Sequence, residues 1–308
     1  MQAIVNRTSF PDRCVDGRRA AGLTLIEMVI SLAIAAILAI FVVTFIAQSV
    51  QGYTDLGRRA ELTDAAESAL RRMGRDLRVA LPNSVRINAN TGGNTSFAVE
   101  LIPVLDGAKY TNQGAVGVKL NTGASDTVFT ITGCFRNAAV RNAAGMRMVV
   151  NNGATPTDDV YSNASLGTGT SSVITAAAVN ISIAPATCTV GTNDVVTFST
   201  AHQFRGDSPA LRIYVVTTPV SYLCDAAAGT LRRYAGYTIS SAQPTDPSIA
   251  PLASVASVLV VDNVAACEVK TTTSDVVNRR LVTLALTLSE ESDEQVRLIY
   301  QVQLDNSR

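Results

Sequence analysis

Glu27 is the single charge in the 25-residue apolar run Leu23–Ala47, five residues beyond Gly22 and shortly after Arg18 and Arg19. The chemistry open to such an acid is charge pairing. A carboxylate at the centre of a membrane-length helix costs roughly 2.5–3.5 kcal/mol on insertion scales. Near the helix end the cost is lower, but a partner is still expected. The run contains no lysine or arginine, so the cation has to come from another molecule. That pattern points to a protein that works by assembling.

Other reactive residue types are sparse. His202 is the only histidine, and no carboxylates are spaced to complete a catalytic or metal set around it, so a structural or surface role is expected. No Ser/His/Asp or Cys/His arrangement suggests a hydrolase, and an enzyme is not expected. Gly167-Thr168-Gly169 lacks the residues of a phosphate loop. Arg205-Gly206-Asp207 is a tripeptide common by chance. Asp158-Asp159 and the acidic turn 289–294 lack the alternating oxygen spacing of a calcium loop. No cofactor or metal is expected.

Five cysteines are present: Cys14, Cys134, Cys188, Cys224 and Cys267. Cys14 precedes the apolar run, and the other four follow it. An even set in an oxidising compartment favours two disulfides, with three possible connectivities. Cys224 and Cys267 bracket a hairpin and the strand after it and are paired on that ground, leaving Cys134 with Cys188. No CxxC spacing suggests redox catalysis or zinc.

The chain has 308 residues, 47% of them hydrophobic and 16% charged, enough for a large domain behind a membrane segment. The formal charge of zero gives no nucleic-acid footprint. Residues 1–22 carry Arg7, Arg13, Arg18 and Arg19 against Asp12 and Asp16, a net of 4 − 2 = +2. That bias places the N-terminus in the cytoplasm and everything after residue 48 outside it. As a helix, Leu23–Ala47 would span roughly 37 Å, beyond the ~30 Å hydrocarbon core. A secretory signal has a shorter core, about 7–15 residues. Although Ala47-Gln48-Ser49 could pass as a cut site, the run reads as a retained helix.

Leu62, Ala66, Leu70, Met73, Leu77 and Leu81 recur at spacings of three and four, predicting an amphipathic helix over 50–81 that ends before Pro82. The pairs Glu67–Arg71 and Arg72–Asp76 sit at i, i+4. Gly52 and Gly57 are expected to soften the junction with the apolar run. Beyond residue 83, short strands are predicted at 97–101, 127–132, 146–150, 195–199, 211–217, 230–239, 255–261, 281–288 and 296–304. One hairpin joins Val220–Cys224 to Leu231–Tyr234, and another joins the last two strands. Residues 152–172 read as a long, mobile loop. The expected fold is α+β: an extended N-terminal helix packed on an antiparallel β-rich head.

Gly22-Leu23-Thr24-Leu25-Ile26-Glu27 resembles the processing site of type IV prepilins and type II secretion pseudopilins. The resemblance implies a leader, residues 1–22, that a prepilin peptidase removes after Gly22, with N-methylation of the new amine on Leu23. It implies an extended helix over 23–81, with 23–47 in the membrane and 50–81 amphipathic, and a periplasmic head over 83–308. It also gives Glu27 its partner: in a staggered bundle, the Leu23 amine of one subunit sits against Glu27 of its neighbour and sets register. Further stretches, 69–86, 219–234 and 282–306, resemble MshO-type minor pilins of the mannose-sensitive haemagglutinin (MSHA) pilus system. The resemblance implies a low-abundance subunit that helps start or cap a filament. Its partners would be prepilin peptidase, other major and minor pilins, inner-membrane lipid and the assembly platform, and its localisation the inner membrane and then the pilus. Two alternatives remain: a J-type pseudopilin of type II secretion, and a membrane-anchored periplasmic binding module that never polymerises.

Overall fold

The computed structural model describes residues 22, 24–89, 96–111, 117–141, 145–153, 155–189, 191–274, 279–290 and 294–305. Leu23 and Cys14 lie outside them, as do residues 291–293 of the acidic turn. Two compact units divide between Gly57 and Arg58.

The first helix, α1 (Leu25–Arg78), contains 54 residues. Thr24 caps it: the Glu27 backbone N–H donates to Thr24 Oγ1 at 3.4 Å. Gly52 and Gly57 both lie within the span of α1. The apolar side chains from Leu25 to Leu56 are exposed on the chain itself.

In the second unit, the remainder of α1 buries Leu62, Ala66, Ala69, Leu70, Met73 and Leu77 on one face. This is the stripe that the spacing of apolar residues predicts, and each buried leucine or methionine contributes about 1.5–3 kcal/mol. The helix stops at Arg78, three residues before Leu81. Leu81 itself leaves the helix, is buried, and donates its N–H to the Ile102 carbonyl at 2.8 Å. Glu67 and Arg71 form the expected ion pair at 2.5 Å. The expected Arg72–Asp76 pair gives way to a different one, because Asp76 faces the sheet and accepts from Tyr222 and Arg233.

Strands follow in the order β1 (Arg86–Ala89), β2 (Ser96–Leu101), β3 (Val104–Tyr110), β4 (Asp126–Thr132) and β5 (Arg147–Val150). After the one-turn helix α2 (Val160–Asn163) come β6 (Ile181–Ala184), β7 (Val195–His202), β8 (Arg212–Val216), β9 (Val220–Asp225) and β10 (Thr230–Ala235). The chain closes with β11 (Ser257–Val261), β12 (Val264–Ser274), β13 (Arg279–Ser289) and β14 (Gln295–Asp305). They form three sheets ordered β1-β2-β9-β10-β11, β12-β13-β14 and β5-β8-β3-β4-β7-β6. Every named strand pair is antiparallel. The architecture is α+β.

The α1 stripe shares one core with the first two sheets, including Phe97, Val99, Tyr222, Leu231, Val282 and Leu286. The six-stranded sheet has its own core around Phe129, Ile131, Met148, Phe198 and Ile213. Both predicted hairpins are present, β9–β10 and β13–β14. The strand expected at 230–239 ends early, at Ala235, because Gly236 takes φ +88° and turns the chain. β1, β3, β6 and β12 were not predicted. The 152–172 stretch is not a loose loop. Asp159 caps α2 by accepting from the Ser162 N–H, and Val160, Tyr161 and Asn163 are buried.

Gly74 sits where α1 meets β14. A Cβ there would run into the Tyr300 ring, with Cζ at 3.2 Å. Tyr300 is held in place by Arg78, whose Nη2 donates to its hydroxyl at 2.8 Å. Gly74→Leu should therefore lower stability by about 1–3 kcal/mol through overpacking. An unchanged urea midpoint for this variant would show that the helix–sheet contact is looser than drawn.

Candidate functional site

The N-terminal end of α1 brings together the residues that the sequence singles out. Gly22 has open space around its Cα: a Cβ would meet nothing within 4 Å. Among the described residues the fold gives no steric reason for glycine at this position. Thr24 and Glu27 form the spacing of a capping box, with the Thr24 hydroxyl on the Glu27 N–H. Glu27 stands in the first helical turn, where the helix dipole favours a negative charge by about 0.3–1 kcal/mol. Among the described residues no side chain pairs with the Glu27 carboxylate. One helix among the described residues, α1, is long and apolar enough to cross a membrane.

The helix is locked to the head by ionic and aromatic contacts within the second unit. Asp76 Oδ2 accepts from the Tyr222 hydroxyl at 2.7 Å and from Arg233 Nε at 2.9 Å. Burial, then the Asp76 charge, pushes the Tyr222 hydroxyl well above the ordinary tyrosine range. For Arg233, burial acts downward, but the hydrogen bond and charge of Asp76 outweigh it and raise the guanidinium.

Residues 17–43 match the prokaryotic N-terminal methylation motif. The chain carries a type IV prepilin-like processing motif. No curated protein and no solved structure matches the chain. The motif and the apolar helix behind it support a type IV pilin-like protein with a single membrane span.

Elsewhere in the chain, the other candidates have structural partners. Cys134 is bonded to Cys188 and Cys224 to Cys267, with Cα atoms 5.4 and 6.7 Å apart. Closing loops of 54 and 43 residues stabilises the fold by about 4 kcal/mol per bond in the chain-entropy model. Beside the first of these, Arg141 and Asp194 form a buried ion pair at 2.7 Å. The residues of the Arg-Gly-Asp tripeptide serve the fold: Arg205 donates to the Thr157 and Ser171 carbonyls, and Asp207 accepts from the Tyr110 hydroxyl. Asp158 and Asp159 hold the turn around α2.

His202 is buried at the end of β7, its ring 4.6 Å from Phe204 and edge-on to it, with Nε2 unpartnered. Burial lowers its pKa to about 4; the Ser172 backbone opposes this, and Arg147 adds to it. The folded chain thus resists a proton that the unfolded chain accepts. Stability is full above the unfolded value of 6.5 and is lost as pH falls through about 4. After allowance for partial solvent screening, the loss is about 2 kcal/mol. Urea unfolding of the wild type and His202→Phe from pH 7.5 to 4 should show a shallower acid slope in the variant. Parallel slopes would remove His202 from the acid response.

Sequence reasoning missed one buried constellation. Arg86 and Glu100 face each other across β1 and β2, with Arg86 Nε 2.7 Å from Glu100 Oε2. The Tyr237 hydroxyl donates to Glu100 Oε1 at 3.0 Å and meets the Ser221 hydroxyl at 2.6 Å. Arg86 also donates to the carbonyls of Ser240, Ser241 and Ala242, and its guanidinium lies 3.5 Å from the centre of the Tyr161 ring. An acid inside the otherwise apolar Phe97–Leu101 strand was the available signal.

Proposed function

We propose that this chain is a minor pilin of a type IV filament, of the MSHA kind, made as a prepilin. Prepilin peptidase cuts after Gly22 and the amine of Leu23 is methylated. Residues 23–47 hold the protein in the inner membrane, 50–81 carry the helix into the head, and 83–308 form that head in the periplasm. Extraction from the membrane then transfers the apolar faces of α1 from lipid to neighbouring subunits, where close helix packing replaces lipid contact. The protein acts by assembling with other pilins and has no catalytic step of its own.

The methylation motif over 17–43, set on an exposed membrane-length helix, carries this reading. The MSHA-like assignment rests on the 69–86, 219–234 and 282–306 stretches, and the minor role rests on the bulk of the head. Intact-mass analysis of the protein from cells with and without a prepilin peptidase tests it. With the peptidase, the expected mass begins at Leu23 and includes one methyl group; without it, residues 1–22 remain. Retention of the leader in sheared filaments would overturn the reading.

A further inference from the structure

β14 is an outer strand of the β12-β13-β14 sheet. It runs for 11 residues, and its register with β13 is unbroken. The other outer strands differ. β1, β5 and β6 have four residues each and β11 has five, and the pairings of β11 and β12 with their neighbours each contain a register shift. Short length, bulges, proline and lysine are the usual means of keeping a free edge from pairing. β14 has none of them: its sequence QVRLIYQVQLD contains no proline, glycine or lysine.

The hairpin fixes which backbone groups reach that edge. The Glu290 N–H donates to the Glu294 carbonyl at 3.3 Å, and the Ser289 N–H donates the other way, to the Asn263 carbonyl beside β12, at 2.9 Å. Alternate residues of an antiparallel strand direct their N–H and C=O groups to opposite sides. The even-numbered residues of β14 therefore bond β13, in pairs such as Leu284–Tyr300 and Val282–Val302. Gln295, Arg297, Ile299, Gln301 and Gln303 turn their N–H and C=O groups to the free edge. Their side chains stand on the exposed face of the sheet, where Ile299 is 61% exposed. On the opposite face, Leu298 and Tyr300 are only partly buried against the core. Glu268 is shared by Lys270 and Arg297, which leaves these three residues with one positive charge in excess.

We propose that the free edge of β14 receives an extended, amphipathic strand from a different subunit, adding a fourth strand to this sheet. The backbone groups of the five outward residues supply the ladder, and alternate side chains of the incoming strand supply the fit. On the core side, apolar residues would cover the remaining surface of Leu298 and Tyr300. On the exposed side, polar residues and an acid beside Arg297 would match the glutamines and the surplus cation. A second copy of this chain is the less favoured occupant. Antiparallel pairing of β14 with itself needs a two-fold axis normal to the sheet. A helix packed on a sheet lies along its face, so that axis would run the head-packed part of α1 in opposite directions in the two copies. Two chains anchored in one membrane by that same helix are at odds with such an arrangement. The proposal does not depend on cleavage after Gly22.

Hydrogen exchange resolved to single amides, on the full-length protein in detergent, tests it. The probe is a capped peptide of alternating threonine and valine with a central glutamate; the controls are the same residues shuffled to break the alternation, and a version with lysine for glutamate. At about 1 mM probe, the amides of Arg297, Ile299, Gln301 and Gln303 should gain protection, while those of Leu298, Tyr300 and Val302 are protected with or without it. Gln301→Pro removes one outward donor and leaves the β13 ladder intact, so the urea midpoint should hold while peptide binding weakens at least about tenfold. Arg297→Glu, at an exposed side chain, should reverse the preference from the glutamate to the lysine peptide. Absence of the alternating protection, equal binding of the shuffled peptide, binding untouched by Gln301→Pro, or no reversal in Arg297→Glu would each overturn the proposal. So would sedimentation of the wild type alone as a dimer that Gln301→Pro dissociates, which would make a second copy the occupant.

Discussion

Glu27→Ala prepilin is expected to be cut after Gly22 at close to the normal rate, yet to enter sheared filaments at less than about one-tenth of the wild-type level, a difference of about 1.4 kcal/mol or more per subunit. The carboxylate has a local device, the capping-box spacing with Thr24 and a place in the first turn of α1. That device contributes only about 0.3–1 kcal/mol, against roughly 2.5–3.5 kcal/mol for an acid in hydrocarbon at its worst depth. An acid serving only the cap would be a poor exchange for the apolar side chain it displaces. On the proposed assembly, the freed amine of a neighbouring subunit would meet the difference. Glu27→Gln, which keeps size and hydrogen bonding but loses the charge, should fail like alanine. Met28→Ala, one residue on, should assemble. If the alanine variant appears in pili at the normal level, no amine–carboxylate pair sets the register.

What could be read from the chain divides by the range of the interactions. The α1 stripe at Leu62, Ala66, Leu70, Met73 and Leu77 was legible because helical spacing alone puts those residues on one face. β13 and β14 were legible because alternation runs through both and their register is unbroken. β3 was not, because Asp106 and Gly107 interrupt it. Gly107 packs closely on β8: a Cβ would lie 3.1 Å from the Tyr214 ring, which would have to shift to admit it. Asp106 bonds the Gly107 and Asn137 N–H groups. In β12 the run of threonines and the Glu268 and Lys270 charges mask an 11-residue strand. The methylation motif was legible for a different reason: it lies wholly within residues 17–43, so it needs no folded partner. The Arg86–Glu100–Tyr237 set was out of reach because its bonds join residues 14 and 137 positions apart.

That same set gives the largest effect expected within the head. Arg86→Ala should lower stability by about 3–5 kcal/mol, because it leaves the carboxylate of Glu100 buried without its cation. A typical domain has only about 5–15 kcal/mol in total. Glu100 is fully buried, and burial already raises its pKa, with Arg86 pulling the other way. Removing the arginine should raise it further. A carboxyl whose folded pKa lies above its unfolded value adds stability below the unfolded value and loses it as pH rises through the folded one. The deficit of Arg86→Ala should therefore be smallest at acid pH and grow toward neutrality, opposite in sign to the His202 effect. Arg86→Met with Glu100→Gln should cost less than the two single changes summed, because neither partner is then left as an unpaired charge. Chemical denaturation of the wild type, Arg86→Ala, Arg86→Met, Glu100→Gln and the double variant between pH 4 and 8 reads these terms together. A deficit independent of pH, or strict additivity in the double variant, would mean that Arg86 acts through its stacking on Tyr161 and its carbonyl contacts rather than through Glu100.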